Sequence, residues 1–217
     1  MTDPRVIAGN LAHKFLLEDD PKGWFEALYA GANWAETGIP WAHLTVNPSF
    51  ADWLGQNNLA GASRKALVIG CGLGDDAEEL ARRGFEVTAF DISTTAIEWC
   101  RRRFPDSPVD YLVADLFEAP DGWSASFDFI LEAHTIQALP AELRAAAIKA
   151  TTSFVAPGGT LLITALAEDA TATYAGPPWP LSRAELAAFQ EHGLTEVTFE
   201  EYLDQHMTRR FRVAYRA

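Results

Sequence analysis

At 217 residues, 48% hydrophobic and 22% charged, the chain has the length and composition of one globular domain with a sizeable core. Its 17 basic and 30 acidic residues leave a net charge of −13, which repels nucleic acid and anionic membranes, because phosphate binding needs clustered Lys and Arg. Two cysteines, a polar start (Met1-Thr2-Asp3-Pro4-Arg5) and no apolar run of ~20 residues exclude a disulfide framework, a zinc site, a signal peptide and a membrane span, so the expected compartment is the cytoplasm.

Residues 1–60 stand apart, rich in Trp (Trp24, Trp34, Trp41, Trp53) with Pro40 and Pro48 as breakers. They are expected to form an N-terminal helical cap over the active site, with helices near 10–29 and 48–57. Residues 61–217 are expected to form one compact unit in which strands and helices alternate. The first strand is Ala66-Leu67-Val68-Ile69, a continuous apolar run suited to burial on both faces. A helix follows from about Asp75 to Arg83, and Gly84 suits its end. The second strand, Glu86 to Phe90, runs into Asp91, and Ser93 caps a helix over 94–104 that Pro105 stops. Strands three and four are placed at Val109–Val113 and Phe127–Leu131, with a helix from Pro140 to about Val155. Pro157-Gly158-Gly159 predicts a turn into a fifth strand, Thr160 to Leu166. Ser182 and Glu185 form a capping box for a helix ending at Gly193. The final segments, near 195–202 and 207–215, read as a hairpin closing one side of the sheet. The predicted fold is a Rossmann-like α/β sandwich, mostly parallel, with helices on both faces.

The chemistry concentrates at strand ends. Gly70-Cys71-Gly72-Leu73-Gly74 follows a strand and opens a helix, and its third glycine comes one position earlier than in a dinucleotide fingerprint. Asp75 and Asp76 stand where a pyrophosphate would sit, which disfavours a nicotinamide cofactor and tolerates a ligand with a zwitterionic end and a sulfonium. Asp91 can accept both ribose hydroxyls of an adenosine, Asp115 can meet the adenine amino group and Leu116 its ring face. In an open parallel sheet the ligand lies between strands one and four, which brings residues 132–137, with Glu132, Ala133 and Gln137, close to it.

On these residues the chain resembles the class I S-adenosylmethionine methyltransferases over roughly residues 64–217. The resemblance implies S-adenosylmethionine as cofactor and S-adenosylhomocysteine as product, a seven-stranded sheet with an antiparallel last strand, and Ile92 packed on adenine. The ends look most like the thiopurine and halide/thiol methyltransferase group. That likeness rests on Trp24 and Pro40-Trp41, which there lie over the cofactor, and on Gly176-Pro177-Pro178, there near the acceptor. Residues 132–137 depart from that group's usual sequence. The implied activity is in-line methyl transfer to a small molecule, with sulfur acceptors ahead of oxygen or nitrogen. A thiolate needs no strong base; a hydroxyl or amine does, and His134 is the candidate. His43, Tyr174 and Trp179 are the candidate acceptor contacts, and no metal is expected. The rivals are an O- or N-methyltransferase using His134 and a non-catalytic cofactor-binding protein of the same fold; whether the chain is a monomer or a homodimer stays open.

Overall fold

The computed structural model describes residues 3–32, 38–42, 44–169, 174 and 176–217. Seven strands form one sheet: β1 (Lys65–Ile69), β2 (Glu86–Asp91), β3 (Asp110–Val113), β4 (Phe127–Ala133), β5 (Val155–Leu166), β6 (Thr195–Leu203) and β7 (Arg209–Arg216). Their order is β3-β2-β1-β4-β5-β7-β6. β1 to β5 pair in parallel, and β7 inserts antiparallel between β5 and β6. The predicted sheet and its closing hairpin are therefore present.

Seven α-helices accompany the strands among the described residues: α1 (Pro4–Leu17), α2 (Gly23–Gly31), α3 (Pro48–Asn57), α4 (Asp75–Arg82), α5 (Thr94–Arg103), α6 (Ala141–Ser153) and α7 (Arg183–Glu191). Alternation along each strand sends side chains to two cores. On one face Val68, Phe129 and Leu162 meet α3, α4 and α5; the Phe129 ring lies 5.7 Å from Trp53 and 5.8 Å from Phe85. On the other, Ile69, Ile130 and Ile163 meet Ala147 and Ile148 of α6 and Leu186 and Phe189 of α7. Each fully buried side chain of this size contributes about 1.5–3 kcal/mol. A third cluster joins α1 and α2 to Leu73, Ala96 and Trp99, so the N-terminal helices rest on the glycine loop and the start of α5.

Several boundaries differ from the sequence expectation, among them the end of α6 at Ser153 rather than near Val155. The helix expected near 10–29 is two helices, because Pro21 has no N–H to continue the first and Asp20 accepts the Gly23 N–H at 2.9 Å; Asp19 between them has φ 60°. Strand five starts at Val155, not Thr160: the Pro-Gly-Gly segment is an irregularity within the strand, where β4 pairs Phe127 with Val155 but Phe129 with Thr160. β4 runs on to Ala133, two residues past the expected Leu131.

Candidate active site

The carboxyl ends of β1, β2 and β4 converge on Gly70–Gly74. Gly70, Gly72 and Gly74 have φ of 59°, 54° and 88°, a region that side chains rarely adopt. Each also faces a different neighbour. A Cβ on Gly70 would collide with the Thr135 side chain at the end of β4. On Gly72 it would lie 3.2 Å from the Tyr29 hydroxyl of α2, and on Gly74 2.5 Å from that of Tyr111 on β3. The loop is thus a junction of three elements.

Asp91 ends β2 and is 6% exposed. Its Oδ2 accepts the Gly72 N–H at 3.0 Å and its Oδ1 the Ser93 N–H at 2.9 Å, which joins the glycine loop to the cap of α5. Burial pushes its pKa up to about 6, against the pull of those N–H groups. Glu26 of α2 completes this corner: it accepts the Ser93 hydroxyl at 2.6 Å, the Thr95 hydroxyl at 2.6 Å and the Thr95 N–H at 3.1 Å. Partial burial raises the Glu26 pKa, but the Ser93 and Thr95 hydrogen bonds outweigh it and the net shift is downward. Asp115 accepts the Phe117 N–H at 3.0 Å and pairs with the Lys22 ammonium, which stitches the α1–α2 turn to the end of β3. Leu116 is buried beside it and Ile92 is half-buried.

Of the two acids opening α4, Asp75 is taken by Arg103 through two bonds of 2.8 Å. Asp76 accepts the Asn47 N–H at 2.7 Å, and burial lifts its pKa to about 7. The neighbouring Cys100 thiol and burial raise the pKa of the Cys71 thiol well above its ordinary range, while the Cys100 thiol donates to the Gly72 carbonyl at 3.1 Å.

Over the loop, Trp24 is buried against Phe25 at 4.0 Å, with Trp41 edge-on at 6.0 Å. The Trp41 indole N–H donates to the Tyr29 hydroxyl at 2.9 Å, so Tyr29 holds Trp41 beside Gly72.

Beyond β4 lies the second half of the site. Glu132 is fully buried, and its Oε1 accepts the N–H groups of Thr135 (2.7 Å) and Ile136 (3.0 Å). Burial raises its pKa to about 7. Ala133 is half-buried and lies in register with Thr164, Arg212 and Glu200 across β5, β7 and β6. His134 has φ 69°, and its Nε2 faces Arg210 Nη1 at 3.4 Å; Arg210 is held in turn by Asp204 at 2.8 Å. A guanidinium only donates, so His134 Nε2 is the acceptor and the imidazole proton belongs on Nδ1. Arg212 reaches across to α3, donating to the Ser49 carbonyl at 2.8 Å while paired with Glu200.

Gln137 is buried and structural in its bonding: its Oε1 accepts the Leu166 N–H and its carbonyl the Trp179 N–H, both at 2.7 Å. Trp179 is half-buried, and Tyr174 is 40% exposed. His43 lies outside the described residues. The structure therefore gathers the glycine loop, Asp91, Trp41 and Thr135 in one place, with His134 on the β7 side. Lys22, Glu26, Tyr29 and Arg210 are absent from the sequence expectation, and Thr135 enters it only within the range 132–137. Of the four, only Arg210 left a signal in the sequence, as one of the arginines alternating with Phe211, Val213 and Tyr215 in the last strand.

Among the described residues no helix is long and apolar enough to cross a membrane, and no group of His, Cys, Asp and Glu could hold a metal ion. A probable thiol methyltransferase of Arabidopsis thaliana is 28% identical over 178 residues, spanning 81% of this chain and 74% of that protein. A ubiquinone biosynthesis O-methyltransferase of Alkalilimnicola ehrlichii is 31% identical over 123 residues, 56% of this chain and about half (49%) of its own length. Among solved structures, one from work on the conversion of a disulfide bond into a thioacetal group during echinomycin biosynthesis superposes with a TM-score of 0.71 at 21% identity, over 88% of this chain and 89% of that one. The N-methyltransferase NodS of Bradyrhizobium japonicum with S-adenosyl-L-homocysteine gives 0.64 at 23% identity, over 82% and 91%. The model of the thiopurine S-methyltransferase family matches residues 31–214. The chain belongs to that family, and it is an S-adenosylmethionine-dependent methyltransferase.

Proposed function

We propose that the chain methylates the sulfur of a small thiol, in the reducing cytoplasm, with the glycine loop, Asp91, Ile92 and Leu116 holding the cofactor's adenosine and amino acid parts. The residues present fit such a cofactor. Gly70, Gly72 and Gly74 keep the loop at positive φ and free of side chains, and Asp91 is a buried carboxylate with no basic ion-pair partner among the described residues. Asp115 serves the cap instead, through Lys22. The bound cofactor supplies a methyl group on a positively charged sulfur, and the protein's task is mainly to align the acceptor behind it.

One observation carries the choice of sulfur: the contact between Arg210 and His134 Nε2. With Nε2 already accepting from a guanidinium, the ring does not offer that nitrogen to an acceptor's proton. A thiol, with a reference pKa near 8.5, ionises without a dedicated base, and a neighbouring arginine favours the anion. A second reading, transfer to a hydroxyl or amine with His134 as base, draws on the likeness to O-methyltransferases. Turnover with methyl-labelled cofactor across small thiols, phenols and amines tests both. The expected result is methylation of thiols, with His134→Ala slowing it less than about tenfold. Turnover of phenols or amines alone, abolished by His134→Ala, would overturn the sulfur reading.

A further inference from the structure

Glu132 occupies an unusual position for a carboxyl group. It is 0% exposed, it lies in register between Ile69 of β1 and Ile163 of β5, and its Oε2 has no hydrogen-bond partner among the described residues. An apolar side chain would fill the same space without the desolvation cost, and replacing buried charged groups by apolar ones is often neutral or stabilising. What Glu132 does make is specific. Its Oε1 takes the two consecutive N–H groups of Thr135 and Ile136, which open the short 3-10 turn Ile136–Ala138.

That turn carries the two contacts on which both halves of the site depend. Thr135 donates its hydroxyl to the Ile69 carbonyl at 3.0 Å and fills the space beside Gly70. His134 is held in the left-handed region, where a non-glycine residue stays only if its surroundings over-determine it, and there it meets Arg210. Both residues lie within three positions of Glu132.

We infer that Glu132 is a positioning residue for methyl transfer: by gathering the N–H groups of Thr135 and Ile136 it sets the turn that seats Thr135 on the cofactor loop and His134 against Arg210. The inference rests on the methyltransferase reading above. Its distinguishing mark is that the two bonds matter and the charge does not.

Three variants separate these possibilities when S-adenosylhomocysteine binding is measured by calorimetry and folding by circular dichroism. Glu132→Gln keeps an oxygen that accepts both N–H groups and should bind within threefold of the parent. Glu132→Asp keeps the charge but is one methylene short, and Glu132→Met fills the space without an acceptor; both should bind at least tenfold more weakly while folded. A purely space-filling role predicts parental binding by Glu132→Met, and an electrostatic role predicts parental binding by Glu132→Asp with loss in Glu132→Gln; either result overturns the inference. Should Glu132→Met not fold, the contrast between Asp and Gln decides. No binding by the parent protein would instead sink the cofactor reading, and this inference with it.

Discussion

The β1–β3 half of the site and the β4–β7 half are built by different means. In the first, the bonds at the centre of the site run from a side chain to backbone: Asp91 is tied to the Gly72 and Ser93 N–H groups. In the second, side chains of different elements meet, His134 with Arg210, Arg212 with Glu200 and Arg144 with Glu185, and Arg212 also donates to the Ser49 carbonyl. Four carboxyl groups register the difference, with Glu26 of the first half (lowered) and Glu132 of the second (raised) as exceptions. Asp91 and Asp76 lie above their ordinary range because burial is answered by backbone N–H groups alone. Asp204 and Glu185 lie below theirs, because partial burial is outweighed by hydrogen bonds, among them those from Arg210 and Arg144. A half with raised carboxyl groups suits a ligand that brings positive charge. In the other half Asp204 and Glu185 are paired with arginines, while Glu132, buried and held by backbone N–H groups, is raised as well.

The contrast is most directly broken at Asp91. Asp91→Ala removes a charged acceptor expected to contribute ~1.5–3 kcal/mol per ligand hydrogen bond, so S-adenosylhomocysteine affinity should fall at least tenfold, by calorimetry. Unchanged affinity would take Asp91 out of the site. A second measurement sharpens the electrostatic side. Asp91, Asp76 and Glu132 all hold protons more tightly folded than unfolded, so their contribution to stability is complete below the unfolded carboxylate range and is lost as pH rises through about 6 and 7. The lowered acids act only near and below pH ~4, where they lose stability on acidification. Urea denaturation of the ligand-free protein should therefore show stability falling between about pH 5 and 8 by at least ~1.4 kcal/mol, the worth of one pKa unit at one site. A rise over that range would contradict the burial of these groups. The smallest effect is expected at Arg210→Ala: an acceptor KM raised about threefold to tenfold, with S-adenosylhomocysteine affinity changed less than twofold. Equal losses in both would mean that the two halves are not separable.

How much of this was legible in the sequence follows the same division. The sheet, the glycine loop and Asp91 announce themselves because their signals are local: an apolar run, a spacing of glycines, an acid at a strand end. Glu26 and Lys22 carried no such mark. Their partners, Ser93, Thr95 and Asp115, lie some 67 to 93 residues away, and nothing in α2 says that its single glutamate meets the start of α5. Tyr29 was hidden similarly, its place beside Gly72 being set by how α2 packs. The single helix expected near 10–29 breaks because its periodicity runs across Asp20-Pro21, a stop signal visible in the sequence. Strand five was shortened for the opposite reason: Pro157 and Gly158 do favour a turn, but pairing with β4 absorbs them as an irregularity in the strand.

The three glycines of the loop each give room to a side chain from elsewhere: Thr135, Tyr29 and Tyr111. Change at this motif is therefore constrained to travel in pairs. A bulkier residue at position 74 would have to arrive with a smaller one at 111, and one at 70 with a smaller one at 135, in addition to a backbone that tolerates positive φ. Drift in the strand ends and in α2 is thereby tethered to the motif, even at residues that never touch a ligand.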